Sequence, residues 1–489
     1  MEYADARRNL RPAGFDTFRR FLRARLLQIA FILAVGLALR TVLVINAPPA
    51  NGDAKSRYIV TAVNVLDGHG FSTSAQAPYI PGEAIVPAYP LLIAATYAVF
   101  GRHEMAVRLL QVLIDLVTCL LVAFVSFNIA PAAKKDLTAI FALIIYGIFS
   151  WFTLVWTSDL LTETFTLFLT MLVVVLGALA MRAERKNSLW FGAGIVTGVA
   201  LLTRPDSLLL AAAVLLLLLG RLMKERSTAG LRNVLSFSLA VPLVLSPWIA
   251  RNYVTLGKFQ PLASEYGFAR PAYMPIGYVR WLRTWITDET YFSNVFPPAF
   301  DLGGAYLDPN QLPGSAFDSV AERQQVLGLI DRYNQTRRFT PAIGDEFGAI
   351  AKVRMWRSPV RFFITLPVHR AASMWFTGFA VRQPTNHDGL FKFLPAFSSF
   401  TLLVFRILSV LPIIVGGALG LALLSRRSPL LVLLLLIVLV RTLYMAYSYA
   451  PETRYMVEAY PPMIAGCGAT AAALWLRLKR VFGGKLEIA

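Results

Sequence analysis

Charged residues are scarce in this chain, at 15% of 489 positions, and cysteine and histidine are scarcer still. In an ordinary soluble protein about a quarter of the residues are charged, so the composition argues against that class. The two cysteines, Cys119 and Cys467, both lie in apolar segments, and no disulfide framework is expected. The four histidines are scattered without the spacing of metal ligands, so no metal ion is assigned, and a divalent cation bound by acidic residues stays open.

Long apolar runs take the place of these residues, and 56% of the chain is hydrophobic. Because each run is long enough to cross a hydrocarbon core of about 30 Å, the pattern predicts an all-α polytopic membrane protein of about ten spans. The apolar segment 88–100 is too short for a full crossing and is expected to lie along the interface. The expected spans are residues 26–46, 105–130, 137–156, 160–181, 189–203, 207–222, 234–250, 398–424, 429–447 and 456–476.

Basic residues outnumber acidic ones by 47 to 28, which gives a formal net charge of +19. Cytoplasmic loops of membrane proteins carry an excess of Lys and Arg, so the basic loops are assigned to that side together with both termini. We expect a bacterial inner membrane, with the remaining polar loops facing the periplasm. No nucleic-acid partner is expected, since the membrane accounts for the charge. The basic loops are residues 134–135, 182–186, 221–232, 426–427 and 477–485.

Residues 52–90 follow the first span and are too polar for lipid. An acid, Asp53, stands beside two cations, Lys55 and Arg57, and a phenol, Tyr58, where an amphipathic helix is expected to begin. A second acid, Glu83, precedes the return to apolar sequence. Carboxylates held beside cations at a membrane surface suit chemistry on a phosphate-bearing lipid.

Further ionisable residues fall in the other outer loops, where they are costly unless paired or functional. Asp159 and Glu163 open the fourth span, four residues apart, and are expected to share one helix face. Arg204 follows the fifth span, and Arg454 with Tyr455 precedes the last. Arginine is suited to bidentate contact with phosphate and keeps its charge near lipid.

Several motifs, taken in order, resemble the GT-C superfamily of integral membrane glycosyltransferases, in the branch of the protein O-mannosyltransferases and the bacterial lipid A aminoarabinose transferases. The likeness covers nearly the whole chain, and it is the combination that is specific. The motifs are Gly52-Asp53 through Tyr58, Gly-His-Gly-Phe at 68–71, Glu83 before Tyr89-Pro90-Leu91, Thr162-Glu163, Leu202-Thr203-Arg204-Pro205, Pro247-Trp248 with Arg251-Asn252, and Thr453-Arg454-Tyr455 before Tyr460-Pro461-Pro462.

The resemblance implies a GT-C-like bundle of transmembrane helices with amphipathic helices at the outer face and a small periplasmic domain. It also implies transfer of a sugar from a polyprenyl-phosphate donor to an acceptor hydroxyl of a glycolipid, glycan or protein, with inversion. The catalytic acid of the first outer loop falls on Asp53, which we assign as general base, with Glu83 as a second catalytic acid. The remaining residues are assigned to donor phosphate binding or to support of the site. No cofactor and no metal ion is assigned. Phosphate binding falls to Lys55, Arg57, Arg204, Arg454 and Tyr455, and support to Tyr58, Asp159 and Glu163.

Structural roles remain open for the same residues. Asp53 and Asp159 can cap helices, and Glu83 can be a loop acid paired with an arginine. Arg204 can anchor a helix end by snorkelling. Two other functions also remain open, a lipid-linked glycan polymerase or ligase and a lipid or solute transporter, although no internal repeat of the transporter kind is found.

The sequence divides into five parts on these grounds. Aromatic residues in the long section after residue 250 favour an interface belt over sugar stacking, and they are Trp281, Trp285, Tyr291, Trp356 and Trp375. The predicted parts are a basic cytoplasmic arm at 1–25, an N-terminal transmembrane module at 26–250 with its catalytic loop at 47–87, a periplasmic and interfacial region at 251–397, C-terminal transmembrane helices at 398–476, and a cytoplasmic tail at 477–489.

Overall fold

A computed structural model gives the structure of most of the chain. The residues it describes are 13–50, 52, 54–183, 186–264, 275–299, 305–377, 399–424, 428–448 and 450–483. Throughout these ranges the regular structure is helical, without a β-strand, and the prediction of an all-α polytopic membrane protein is confirmed.

The first half of the chain alternates long helices with short irregular turns. Two π-helical stretches interrupt it, at Ala54–Ile59 and at Ile145–Phe149. The α-helices are α1 Ala13–Ala24, α2 Leu26–Ile45, α3 Val60–Leu66, α4 Ala88–Phe100, α5 Glu104–Ile129, α6 Lys135–Ile144, α7 Trp151–Leu154, α8 Glu163–Ala180, α9 Lys186–Leu201, α10 Leu208–Glu225 and α11 Thr228–Leu256.

The second half contains shorter helices and then three long ones. Further π-helical turns lie at Arg361–Thr365 and Ser373–Thr377, and a 3₁₀-helix lies at Thr453–Ala459. The α-helices are α12 Ile276–Leu282, α13 Phe292–Ala299, α14 Val320–Thr336, α15 Pro341–Arg357, α16 Leu366–Ala372, α17 Ser399–Leu423, α18 Pro429–Ala446 and α19 Tyr460–Gly483.

The chain forms two compact units. The first takes the described residues of 1–262, 384–440 and 457–489, and the second takes those of 263–383 and 441–456. The second unit therefore overlaps the predicted region at 251–397. The predicted boundaries of the five parts stay predictions.

Six helices of the described chain are long and apolar enough to cross a membrane, and a bent pair adds a seventh. Shorter apolar helices lie at 88–100, 187–201 and 410–423. The predicted number of about ten spans stays a prediction, because it also counts the segments 189–203, 398–424 and 456–476. The six are α2, α5, α8, residues 205–225, α11 and α18.

Ends of these helices follow local sequence. The residue before a proline is restricted to extended backbone. Arg204, which precedes Pro205, has φ −146° and ψ 126°, so the helical conformation of α9 does not continue through it. The Ser227 hydroxyl accepts a hydrogen bond from the Gly230 amide at the start of α11. At the other end, Gly257 adopts φ 67°, the left-handed conformation that glycine reaches without strain.

The predicted third span, 137–156, is not one straight helix. It bends by 59° at a break between Phe149 and Trp151. The π-helix before the break ends with the Ser150 amide donating to the Ile145 carbonyl at 2.7 Å, five residues back. A uniform apolar run could not predict this break, because it depends on contacts with other helices.

The first turn of the fourth span also differs from expectation. Helix α8 begins at Glu163, and Asp159 lies in the irregular segment before it. The prediction that these two acids share one helix face is therefore wrong. Residues 155–157 form a 3₁₀-turn, and the bends that follow carry the chain from this turn to α8.

The second unit has its own core, centred on Tyr278, Trp281 and Phe347. Trp281 and Trp285 are buried in this core, so the prediction of a membrane-interface belt or a sugar-stacking surface is wrong for both. Trp375 is also buried, and its indole nitrogen donates to the Thr442 hydroxyl at 3.2 Å. Trp356 is exposed, as a belt residue would be.

Candidate functional site

Three carboxylates of the first unit meet around Arg204. Its guanidinium lies 2.9 Å from Glu163, 3.0 Å from Asp206 and 3.7 Å from Glu458. The extended backbone at Arg204 brings it to the start of α8, while Glu458 comes from the 3₁₀-helix before α19. The turn after the fifth predicted span therefore meets the starts of the fourth and the last predicted spans at this point.

The arginine cluster, defined as Arg204, Glu163, Asp206 and Glu458, is largely shielded from water. The side chains of Glu163 and Glu458 are 2% and 3% exposed, and that of Arg204 is 12% exposed. Burial of ionised groups is costly unless each is paired, so the guanidinium neutralises part of a strongly negative group. The phosphate-binding role of Arg204 stays a prediction, with these carboxylates already at its guanidinium.

Glu458 was missed by the sequence analysis. It lies only three residues after Tyr455, at the edge of an apolar span, which is the same signal that singled out Glu163. The pairing of Glu458 with Arg204 could not be predicted, because more than 250 residues separate them along the chain.

The first outer loop is tied down at several points. Asn64 donates to the carbonyls of Ser72 and Ser74, at 2.8 and 2.9 Å. Arg251, at the end of α11, donates to the carbonyls of Phe71 and Gly82, both at 2.9 Å. These bonds give the irregular segment a fixed shape without regular secondary structure.

Glu83 forms an ion pair with Lys258, and its carbonyl accepts a hydrogen bond from Gln260 at 3.1 Å. Its side chain is 11% exposed. The structure therefore places a loop acid beside a cation, and the cation is a lysine rather than the expected arginine. Whether Glu83 also acts in catalysis stays a prediction.

Tyr58, Tyr89 and Gln111 connect this loop to the segment before α8. The rings of Tyr58 and Tyr89 pack edge to face, with centroids 5.2 Å apart. The Tyr89 hydroxyl donates to Gln111 at 2.5 Å, and Gln111 donates to the Asp159 carbonyl at 2.7 Å. Burial, reinforced by Tyr58, Glu163 and Asp159, raises the pKa of Tyr89 well above its usual value, so its hydroxyl stays protonated.

The remaining predicted residues divide into three groups. Asp53 lies outside the described residues. Lys55 is exposed and Arg57 is half-buried, both in the π-helix that follows. Arg454 and Tyr455 belong to the second unit, where Arg454 pairs with Glu452 at 2.5 Å and lies over the Tyr455 ring at 5.4 Å.

Among the residues described, no group of three or more His, Cys, Asp or Glu side chains is arranged to hold a metal ion. The prediction that the chain uses no cofactor is not tested by this.

Residues 82–250 match the dolichyl-phosphate-mannose-protein mannosyltransferase family. The match runs from the first outer loop to the end of α11 and includes Glu83, Asp159, Glu163 and Arg204. A search of curated protein sequences finds no match.

Two solved structures from Archaeoglobus fulgidus share the fold at 13% identity. One is an oligosaccharyltransferase tethered with an acceptor peptide, with a TM-score of 0.51 over 93% of this chain and 50% of that chain. The other is the oligosaccharyltransferase AglB with an inhibitory peptide and a dolichol-phosphate, with a TM-score of 0.50 over 94% and 52%. ArnT from Cupriavidus metallidurans bound to undecaprenyl phosphate aligns at 15% identity and a TM-score of 0.40, over 91% and 78%.

The chain spans about half the length of the oligosaccharyltransferases that it matches. At this identity the likeness concerns the fold alone, and the family match concerns residues 82–250. Residues 82–250 are therefore similar in sequence to the dolichyl-phosphate-mannose-protein mannosyltransferases, and the chain shares its fold with the archaeal oligosaccharyltransferases.

Proposed function

We propose that this protein is a glycosyltransferase that passes a sugar from a polyprenyl-phosphate donor to an acceptor hydroxyl at the outer face of a bacterial inner membrane. The observation that carries the proposal is the convergence in the first unit of the first outer loop, the turn at 157–163 and the turn at 202–206. AglB, which shares the fold, is seen with a dolichol-phosphate, a lipid of the same chemical class.

The proposed reaction is a single displacement at the anomeric carbon. The acceptor oxygen attacks this carbon while the bond to the donor phosphate breaks, and polyprenyl phosphate leaves with the bonding electrons. Asp53 takes the proton of the acceptor hydroxyl as general base. The product has the inverted configuration, and no redox partner is needed.

Cations of the chain would stabilise the departing phosphate, because its negative charge is developing as the bond breaks. We propose Lys55 and Arg57 for this role on the first outer loop, with Arg204 and Arg454 as further phosphate ligands and Tyr455 as a hydroxyl donor. Their charge supplies what a good leaving group needs, since the phosphate does not have to be protonated.

The carboxylates other than Asp53 have distinct proposed roles. Glu83, which forms an ion pair with Lys258, orients the acceptor. Glu163 fixes the guanidinium of Arg204 at 2.9 Å, and Asp159 lies on the segment that leads to it. Tyr58 packs on Tyr89 and supports the first loop.

The function is tested with the purified full chain in lipid nanodiscs and a panel of synthetic polyprenyl-phosphate sugars. We expect one donor class to be bound and turned over, with release of polyprenyl phosphate and a product of inverted anomeric configuration by NMR. Retention of configuration would overturn the single displacement. If no donor is bound or hydrolysed while the chain moves a lipid or solute across vesicles, the transferase proposal is wrong.

A further inference from the structure

Helix α5 carries four polar side chains along one face, at spacings of four, three and four residues. The polar row, defined as Glu104, Arg108, Gln111 and Asp115, faces other segments of the first unit. Residues at these spacings lie above one another on a helix. Arg108, Gln111 and Asp115 are buried, which is unusual for a helix that is apolar enough to span a membrane.

The first two members of the row hold the start of the first outer loop. Glu104 accepts a hydrogen bond from the Ala50 amide at 2.9 Å, and Arg108 donates to the Pro48 carbonyl at 2.6 Å. Glu104 and Arg108 also pair with each other at 3.1 Å. The bonds fix the backbone just before the proposed base, Asp53.

Gln111 holds the end of the segment that leads into α8. Its amide donates to the carbonyls of Thr157 and Asp159, at 3.2 and 2.7 Å, and its oxygen accepts the Tyr89 hydroxyl. The same side chain therefore joins α5 and α4 to the turn that precedes Glu163.

Asp115 contacts the π-helix Ile145–Phe149, which precedes that segment. It accepts hydrogen bonds from the Tyr146 hydroxyl at 2.6 Å and from Arg40 of α2 at 2.7 Å. Arg40 in turn donates to the Gly147 carbonyl at 2.8 Å and to the Gly36 carbonyl at 3.1 Å. The bonds to Tyr146 and Gly147 reach the π-helix Ile145–Phe149, which precedes the 59° bend.

A buried ion pair is a poor way to gain stability, because desolvation of both charges offsets much of their attraction. Apolar side chains would hold α2, α5 and α6 together at less cost. The bonds of the polar row instead reach the start of the first outer loop and the segment before α8. Gln111 and Asp115 bind this second stretch of chain on either side of the bend at Ser150. The π-helix beside Asp115 is a feature that is frequent at functional sites.

We propose that Glu104, Arg108, Gln111 and Asp115 are positioning residues that set residues 48–50 and residues 146–159 against each other for sugar transfer. The inference rests on the proposed function. A displacement of about 1 Å in the reacting groups can cost about 100-fold in rate. Donor binding depends on the cations of the loop and is expected to survive, so the effect falls on kcat.

The test uses the full chain in nanodiscs and three variants. Asp115→Asn weakens the charged pair with Arg40. Tyr146→Phe removes a single hydroxyl, and Gly36→Ala adds a Cβ atom 3.0 Å from the Gly147 carbonyl oxygen. The last two keep the test valid if Asp115→Asn fails to fold. We expect kcat per folded molecule to fall about tenfold or more in each, with the donor dissociation constant within about threefold of wild type.

Two matched controls are available in the same unit. Ser126→Ala removes a buried hydroxyl on α5 that bonds only within its own helix, to the Val122 carbonyl at 2.7 Å. Gly192→Ala adds a Cβ atom whose nearest neighbour is 3.9 Å away. Both are expected to keep wild-type kcat. If the three variants also keep it, or lose donor affinity instead, the positioning role is wrong.

Hydrogen–deuterium exchange separates this inference from the proposed function. The three variants are expected to speed amide exchange at residues 150–162, whereas Ser126→Ala is not. If the wild type turns over no donor, the proposed function fails, and the inference about the polar row is then tested by the amide exchange rates alone. Unchanged exchange at residues 150–162 in all three variants would overturn the inference even if the enzyme is active.

Discussion

Replacing Arg204 by methionine removes the cation of the arginine cluster and keeps an apolar stem of similar length. Glu163, Asp206 and Glu458 are then left together without it. We expect a large loss of stability, because these carboxylates cannot move into water without displacing the starts of α8 and α19.

The expected size follows from burial. Removing one partner of a buried ion pair costs about 3–5 kcal/mol in the free energy of unfolding. Arg204 lies within 3.7 Å of three carboxylates, two of them almost fully buried, so the upper half of that range is expected. Adding Glu163→Gln to Arg204→Met removes one repelling charge, and a favourable coupling of about 1–3 kcal/mol is expected between the two substitutions.

The assay is reversible unfolding of the full chain in mixed detergent micelles, followed by tryptophan fluorescence. Arg221→Met is the matched control, since Arg221 pairs with Glu225 at 2.8 Å on the exposed side of α10. An exposed pair at this spacing contributes about 0.3–0.5 kcal/mol. If Arg204→Met costs no more than Arg221→Met, the cluster is not a buried group of ionised side chains and the reasoning fails.

Two further predictions concern the first loop and the second unit. Glu83→Gln is expected to lower kcat about tenfold or more, because the carboxylate orients the acceptor. Lys258→Gln breaks the same ion pair and is expected to change kcat less than threefold. Equal effects of the two variants in a transfer assay would assign Glu83 a purely structural role. Gly277→Ala places a Cβ atom 1.8 Å from the Gly344 oxygen, so α12 and α15 must move apart at a cost of about 3 kcal/mol in thermal unfolding. The control Gly348→Ala meets nothing closer than 3.4 Å and is expected to be tolerated, and a reversed order would contradict the packing.

Sequence patterns predicted those features of the fold that depend on neighbouring residues. Apolar length predicted the membrane helices and the break between the spans 189–203 and 207–222. The turn between α9 and α10 lies in that break, where Pro205 constrains the backbone of Arg204. The helical stretch after the first span was also expected, and it appears as a π-helix followed by α3.

Features that depend on distant contacts could not be predicted. The bend at Ser150 depends on Arg40 and Asp115, which reach the preceding turn from other helices. Tryptophan is common both in a membrane belt and in a protein core, so the sequence could not decide between them for Trp281 and Trp285. The packing of α12 against α15 places both in the core.

The candidate site could be predicted only in part, because some of its contacts join distant parts of the chain. Outer-loop acids and cations stand out in apolar sequence, so Glu163 and Arg204 were identified, and the structure joins them at 2.9 Å. Asp115 and Gln111 lie inside an apolar span, where a single polar residue does not show which segment it will contact.

The most direct test of the central claim is sugar transfer by Asp53→Asn beside the wild type, with donor binding measured on the same preparations. The proposed base predicts that turnover falls by about 100-fold or more while the dissociation constant of the polyprenyl-phosphate sugar stays within about threefold. An Asp53→Asn variant that folds, binds donor and transfers sugar at the wild-type rate would contradict the assignment of Asp53 as the base.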